Sequence, residues 1–414
     1  MKQQSYSNSS RIPRRRMFKQ SAGMAAMTLA AMVMPLDLRR ALAQQVVPAA
    51  PAPGWRIWLT HQSNDPGSIV ISWQTDLPGD SVVYYGVANE EEHRLAQDEN
   101  VTLHHVEIPL AKKDCIYQYR VETNGKASPT YAFKGYPTGE LRVAVVGDWG
   151  WARNNDLSAI LHDDIHLLIT AGDNVPNLHQ PGCEGLKAFS ALIDKQPALF
   201  RSTPFMPVIG NHDKEAHPRG PKPPAEPVYD LKAAAYCEFF ALPGDKWKWR
   251  FEVPDFGVCF LALDLEHMTD FGTTWQACHA FDEQSEQFVW YRRMMQEASA
   301  PFVFTLMNEK QTTVKALTKD LWHEYFRKGS ALITGFGYFG DHAELDGGLP
   351  YFNTCLNGEG DVYQDPQSKF FVRTDNYLLL TFERGAGAMT LQMKNLQGAV
   401  MDTRMIEKRR LLSS

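Results

Sequence analysis

The chain has 414 residues, 44% hydrophobic and 22% charged, with ten Trp; this suits two or three globular domains and excludes a disordered, collagen-like or disulfide-miniprotein chain. The formal charge of −6 is uneven: residues 1–43 hold eight Lys/Arg against one acid, Asp37, and setting that excess of +7 aside leaves a body at −13. Such a body has no basic field for phosphate backbones, which excludes charge-driven nucleic-acid binding, and a small anionic substrate would need a local cation such as a metal.

In chain order, the first element is an address. Arg15-Arg16-Met17-Phe18-Lys19 closes a basic segment, and the Ala/Met-rich stretch at 21–34 is too short to span a bilayer, which takes about twenty residues. Ala41-Leu42-Ala43 supplies a small-x-small cleavage site, so 1–43 resembles a twin-arginine signal peptide. The expectation is a periplasmic or secreted protein with no membrane attachment after cleavage. Residues 44–54 form a Pro/Ala linker.

From 55 to 137 short alternating segments (69–74, 81–86, 104–110, 116–122, 131–133) are punctuated by Gly, Pro, Asn and Asp, which predicts a small all-β sandwich. The run Tyr117-Gln118-Tyr119-Arg120-Val121 looks like the tyrosine-corner strand of a fibronectin III-like domain. The texture changes at 141. Apolar runs at 142–146, 165–171, 207–209, 258–263, 301–307 and 331–334 each end in a polar loop, and helical patterns intervene. The clearest helix covers 282–299, with Asp282 as its expected N-cap. Strands at 377–383 and 388–393 close an α/β domain spanning 140–400, and 401–414 reads as a tail. Six cysteines lie after the linker with no C-x-x-C pair, and their pairing is open.

Ligands in such sheets sit beyond the carboxyl ends of strands. There the first strand runs into Gly147-Asp148-Trp149-Gly150, the second into Gly172-Asp173-Asn174, and the third into Gly210-Asn211-His212-Asp213. One such Gly-Asp is usually a cap or a turn. Three in order bring two carboxylates and an amide oxygen to one edge, a set of hard metal ligands.

These motifs resemble those of the calcineurin-like metallophosphoesterases, and the preceding sandwich, with Ser72-Trp73 and Val83-Tyr84-Tyr85-Gly86, is similar to that of the purple acid phosphatases. The resemblance implies an α/β metallophosphoesterase-type β-sandwich with flanking helices behind the fibronectin III-like domain. It also implies hydrolysis of a small phosphorylated substrate by metal-activated hydroxide. In its terms Asp148 holds one metal, Asp173 bridges two, Asn211 holds the second, and His212 orients the phosphate or leaving group. The other ligand positions depart from the pattern. Pro176 stands where the family has a tyrosine, Met307-Asn308 where it has a histidine, and Gly335-Phe336-Gly337-Tyr338 where it has Gly-His-x-His. The remaining donors are oxygens, which favours Mg, Mn or Ca over an iron–zinc pair; the cofactor is a divalent or trivalent ion (Mn, Mg, Fe and Zn all open), and the expected stoichiometry is one. Glu309, Tyr338, and Asp341 and His342 in a glycine-rich loop are candidate substitutes. A non-catalytic descendant that binds a ligand or partner in the same crevice is the alternative, and Trp149, Trp151, Phe336, Tyr338 and Phe339 would give it an aromatic pocket. The G-x-G-x-x-G at 335–340 is not a dinucleotide site, because 341–350 does not continue as a helix.

Overall fold

The computed structural model describes residues 55–150, 152, 156–357 and 363–409; the signal peptide and linker expected at 1–54, and Trp151, lie outside them. The first body has six strands: β1 (Arg56–Thr60), β2 (Ser68–Val87), β3 (His93–Pro109), β4 (Ile116–Thr123), β5 (Lys126–Ala127) and β6 (Tyr131–Lys134). The segments expected at 69–74 and 81–86 are two arms of one bent strand. β2 pairs with β3 on both arms with register shifts between Gln74 and Ser81, while β1 joins the first arm and β4 the second. Pro78 and Gly79 break the alternation there without ending the pairing, and the bend lets one hairpin serve both layers. Ile71, Trp73, Val83, Val106, Tyr119 and Phe133 fill the space between. The tyrosine corner is present: Tyr117 Oη accepts the Lys112 N–H at 2.8 Å and reaches the Lys112 carbonyl at 3.2 Å.

The second body runs in chain order through β7 (Glu140–Val146), α1 (Ser158–His162), β8 (Leu167–Thr170), α2 (Lys187–Lys195), α3 (Pro197–Ser202), β9 (Phe205–Met206), α4 (Ala234–Phe239), β10 (Trp249–Val253) and β11 (Val258–Ala262). It continues with α5 (Glu286–Glu297), β12 (Phe302–Met307), α6 (Gln311–Thr318), α7 (Leu321–Phe326), β13 (Ala331–Thr334), β14 (Gly340–Leu345), β15 (Leu349–Asn353), β16 (Ser368–Val372), β17 (Asn376–Glu383), β18 (Ala388–Asn395) and β19 (Val400–Glu407). Two sheets result, ordered β19-β18-β17-β7-β8-β9 and β10-β11-β12-β13-β15-β14-β16. Alternate residues explain their burial on both faces. Phe260, Phe304 and Ile333 pack in the core shared with Val143 and Leu380 of the other sheet. Cys259, Leu261, Val303 and Leu332 instead face Phe288, Tyr291, Trp322 and Phe326 of the covering helices.

Four local expectations are corrected. Residues 207–209 are not ladder-paired; the paired strand is Phe205–Met206, and Val208 is held by side chains, donating to Thr170 Oγ1 and accepting from Asn174 Nδ2. The cap of α5 is Ser285, whose hydroxyl accepts the Phe288 N–H at 3.2 Å, while Asp282 only closes the preceding turn on the Gln284 N–H. The expected tail contains β19, paired antiparallel with β18. Asp341 and His342 lie within β14 rather than in a glycine-rich loop. All six thiols are free.

Candidate metal-binding site

β7 and β8 run parallel, as do β11, β12 and β13, so the motif loops leave the sheets at one edge. Asp148 and Asp173 both take left-handed backbone, φ 50° and 53°, a region that Asp tolerates better than most residues. The two loops are stitched together, with the Asp148 N–H donating to the Gly172 carbonyl at 3.2 Å and the Gly150 N–H to the Asp173 carbonyl at 2.8 Å. The glycines here answer to space. A Cβ on Gly147 would sit 2.3 Å from the Thr354 carbonyl oxygen, and one on Gly210 would sit 2.1 Å from Asp173 Oδ1.

Asp173 is buried against the Gly210 turn. Its Oδ1 accepts the His212 N–H at 3.1 Å and its Oδ2 lies 4.0 Å from His212 Nε2. Burial holds the His212 imidazole below its ordinary pKa, against the pull of Asp173 and Glu215. Asn211 donates through Nδ2 to Tyr229 Oη at 3.2 Å, which commits its nitrogen and turns the choice of ligand atom to the amide oxygen. The neighbouring motif residues are scaffold. Asp213 accepts the N–H groups of Gly210 (2.8 Å) and Asn174 (3.1 Å), and burial, with Asp173 nearby, pushes its carboxyl up to about 8.

The departures from the family pattern have been put to structural use. Asn308 donates to the carbonyls of Ala171 and Gly335, both at 3.1 Å, and so braces the edge. Phe336 is held by its N–H on Asn353 Oδ1 at 3.0 Å, and its ring meets Tyr363 and the Lys310 ammonium. Trp149 and Phe339 are buried, Trp149 stacking on Phe200 in the core, so they line no pocket. Three of the candidate substitutes are committed elsewhere. Glu309 accepts the N–H groups of Met268 (3.1 Å) and Lys310 (3.0 Å), Asp341 accepts from Asp365 N and Ser368 Oγ, and His342 pairs with Asp402 at 2.7 Å while stacking on Phe352. Tyr338 is half-buried in the same loop.

The sequence reading missed a buried charge cluster beside the site. Lys214 Nζ lies 2.6 Å from both Asp264 Oδ1 and Glu266 Oε1, all three side chains fully buried. Asp264 follows β11 much as Asp148 follows β7, and that placement was the available signal. Among the described residues no three His, Cys, Asp or Glu side chains are grouped as a metal cage. The donors at the edge (Asp148, Asp173 and the Asn211 oxygen) are all oxygens and suit a hard cation; they do not fit the histidine-rich two-ion set, because Met307-Asn308, Phe336 and Tyr338 supply no imidazole.

Residues 141–316 match the model of the calcineurin-like phosphoesterase family. Among solved structures, purple acid phosphatase PPD1 from yellow lupin (Lupinus luteus) seeds is similar at 15% identity and a TM-score of 0.65, over 88% of this chain and 75% of that one. PhoD is similar at 10% identity and a TM-score of 0.63, over 85% of this chain and 90% of that one. A comparison with curated proteins finds no match. The sheet order, the motif loops at one edge and these likenesses agree: the chain carries a calcineurin-like phosphoesterase domain in a metallophosphoesterase fold shared with purple acid phosphatase and PhoD.

Proposed function

We propose that the protein is an exported phosphohydrolase of reduced power that acts on a small phosphomonoester with one oxygen-bound cation. The observation that carries this reading is the Asp173–His212 pair, seated on a turn where Gly210 leaves no room for a side chain. Asp148, Asp173 and Asn211 would hold the ion, which supplies charge neutralisation at phosphorus and a more acidic water. His212, whose Nε2 lies 4.0 Å from Asp173 Oδ2, is placed to pass a proton to the leaving oxygen. The second reading, a non-catalytic phosphoester-binding protein, is favoured by the absence of imidazole at Met307-Asn308, Phe336 and Tyr338.

Metal analysis of the purified protein, with turnover of 4-nitrophenyl phosphate, tests the two. One ion at most and slow metal-dependent turnover are expected. The triple variant Asn308→His, Phe336→His and Tyr338→His should move stoichiometry toward two and raise turnover. Phosphate binding with neither metal nor turnover would establish the second reading. Export by the twin-arginine route to the periplasm or beyond is read from Arg15-Arg16. Replacing both with Lys should leave precursor in the cytoplasm, and normal export of that variant would refute this part.

A further inference from the structure

Asn211 is almost wholly buried, and its amide nitrogen donates to Tyr229 Oη at 3.2 Å, a hydroxyl eighteen residues on and outside all three motifs. The two ends of an amide have nearly the same shape and opposite polarity, and only the oxygen can hold a cation. With the nitrogen answered by Tyr229, the oxygen is the end left for an ion.

The tyrosine is itself held from several sides. Glu215 and Tyr229 face each other in an antiparallel bridge. Beside it the Ala216 N–H donates to the Val228 carbonyl at 3.1 Å and the Asp230 N–H to the Lys214 carbonyl at 2.7 Å. Arg219 closes the frame. Its Nε donates to Glu215 Oε1 at 2.8 Å, its Nη2 to Asn177 Oδ1 at 3.0 Å, and its guanidinium carbon lies 5.9 Å from the centre of the Tyr229 ring. Asn177 follows Asp173 by four residues in the loop between β8 and α2, so the frame ties the loop of one candidate ligand to the partner of another. Tyr229 stands outside the large cores, in a small apolar group with Val228 and Ala277 against which Trp275 packs. Packing there calls for a ring; the hydroxyl is used on Asn211.

We propose that Tyr229 is a positioning residue of this site: by accepting the Asn211 amide N–H it keeps the amide oxygen turned to a hard divalent cation, while Arg219 holds the tyrosine in place. The proposal rests on the cation-binding reading above and adds to it a residue that does not touch the ion. Partners of this kind fix the orientation of a ligand and through it the affinity of the site.

Calorimetric titration of the full chain with Mn²⁺ tests it, in wild type, Asp173→Asn, Tyr229→Phe, Asn211→Asp and the double variant Tyr229→Phe/Asn211→Asp, with metal-free thermal unfolding alongside. Tyr229→Phe should weaken Mn²⁺ binding by about tenfold or more, the range that such partners span. In the Asn211→Asp background the same change should leave Mn²⁺ affinity equal or higher, because a carboxylate presents oxygen at both ends and has no N–H to strand. A merely structural role for the hydroxyl would weaken binding equally in both backgrounds, and that result, or unchanged affinity in Tyr229→Phe, overturns the proposal. Tyr229→Phe may fail to fold while the double variant folds, since removing both partners leaves no buried donor unmatched. The double variant is then compared with Asn211→Asp alone: equal or tighter Mn²⁺ binding supports the proposal and weaker binding overturns it. Loss of binding in Asp173→Asn but not in Tyr229→Phe removes Tyr229 alone. No Mn²⁺ binding by wild type, or binding indifferent to Asp173→Asn, removes the cation reading as well.

Discussion

Gly210 shows how a single residue governs the site. Its φ of −122° is open to any amino acid, so glycine is required there by space alone: an added Cβ would meet Asp173 at both Oδ1 and the backbone nitrogen, 2.1 and 2.2 Å away. Gly210→Ala should therefore destabilise the fold by about 3 kcal/mol, the upper range for overpacking, and weaken metal binding as Asp173 is pushed aside. Urea unfolding and a metal titration read the two effects, and a variant that matches wild type in both would show that the turn relaxes freely. Asn308 makes a parallel case. Asn308→Ala would strip the Ala171 and Gly335 carbonyls of a shared donor and should cost about 2 kcal/mol by the same unfolding assay.

At the scale of elements, α5 is stabilised from both ends of its argument. Phe288, Tyr291, Met294 and Met295 recur on one face and lie against β11 and β12, and Ser285 supplies the cap. Ser285→Ala should cost about 1 kcal/mol, whereas Asp282→Ala should cost only a few tenths. Equal losses in chemical unfolding would mean that the turn at Asp282 matters as much as the cap. The helix was legible because its period was strong; its start was not, because Asp282 and Ser285 are both good caps and only the path of the chain chooses between them. The bent β2 was read as two strands for a related reason. Its Asp-Leu-Pro-Gly-Asp centre has turn composition, but β3 follows it round the corner.

The whole molecule is held by the seam between its two bodies. Trp58 of β1 stacks on Phe239 of α4 with ring centroids 4.2 Å apart, and His61 lies over Phe251 while bonding Tyr136 Oη at 2.9 Å and the Ser68 carbonyl at 2.7 Å. Burial lowers His61 to about 4. An unfolded His takes its proton near pH 6.5, so between roughly pH 6.5 and 4 the unfolded chain binds a proton that the folded one refuses, and stability falls as the pH drops through that window. The loss attached to His61 is on the order of 3 kcal/mol across it. His104 and His105, also lowered to about 4 chiefly by burial, act in the same direction. Urea unfolding at pH 7 and pH 5 should show the drop and His61→Gln should flatten it; an equal slope in the variant would place the acid sensitivity elsewhere.

The sequence by itself determined the two-body plan and the motif loops. Alternation, apolar strand runs and Gly-Asp punctuation are local signals, each written within ten residues or so. It also marked Asp148, Asp173, Asn211 and His212, because the Gly-Asp and Gly-Asn-His-Asp motifs that carry them are contiguous in the chain. The tertiary structure alone decided what replaced the absent histidines. That Asn308 braces two carbonyls, that His342 pairs with Asp402, and that Lys214 is shared by Asp264 and Glu266 all depend on segments far apart in sequence. Charge balance in a buried cluster is a sum over neighbours, and a linear chain does not name its neighbours.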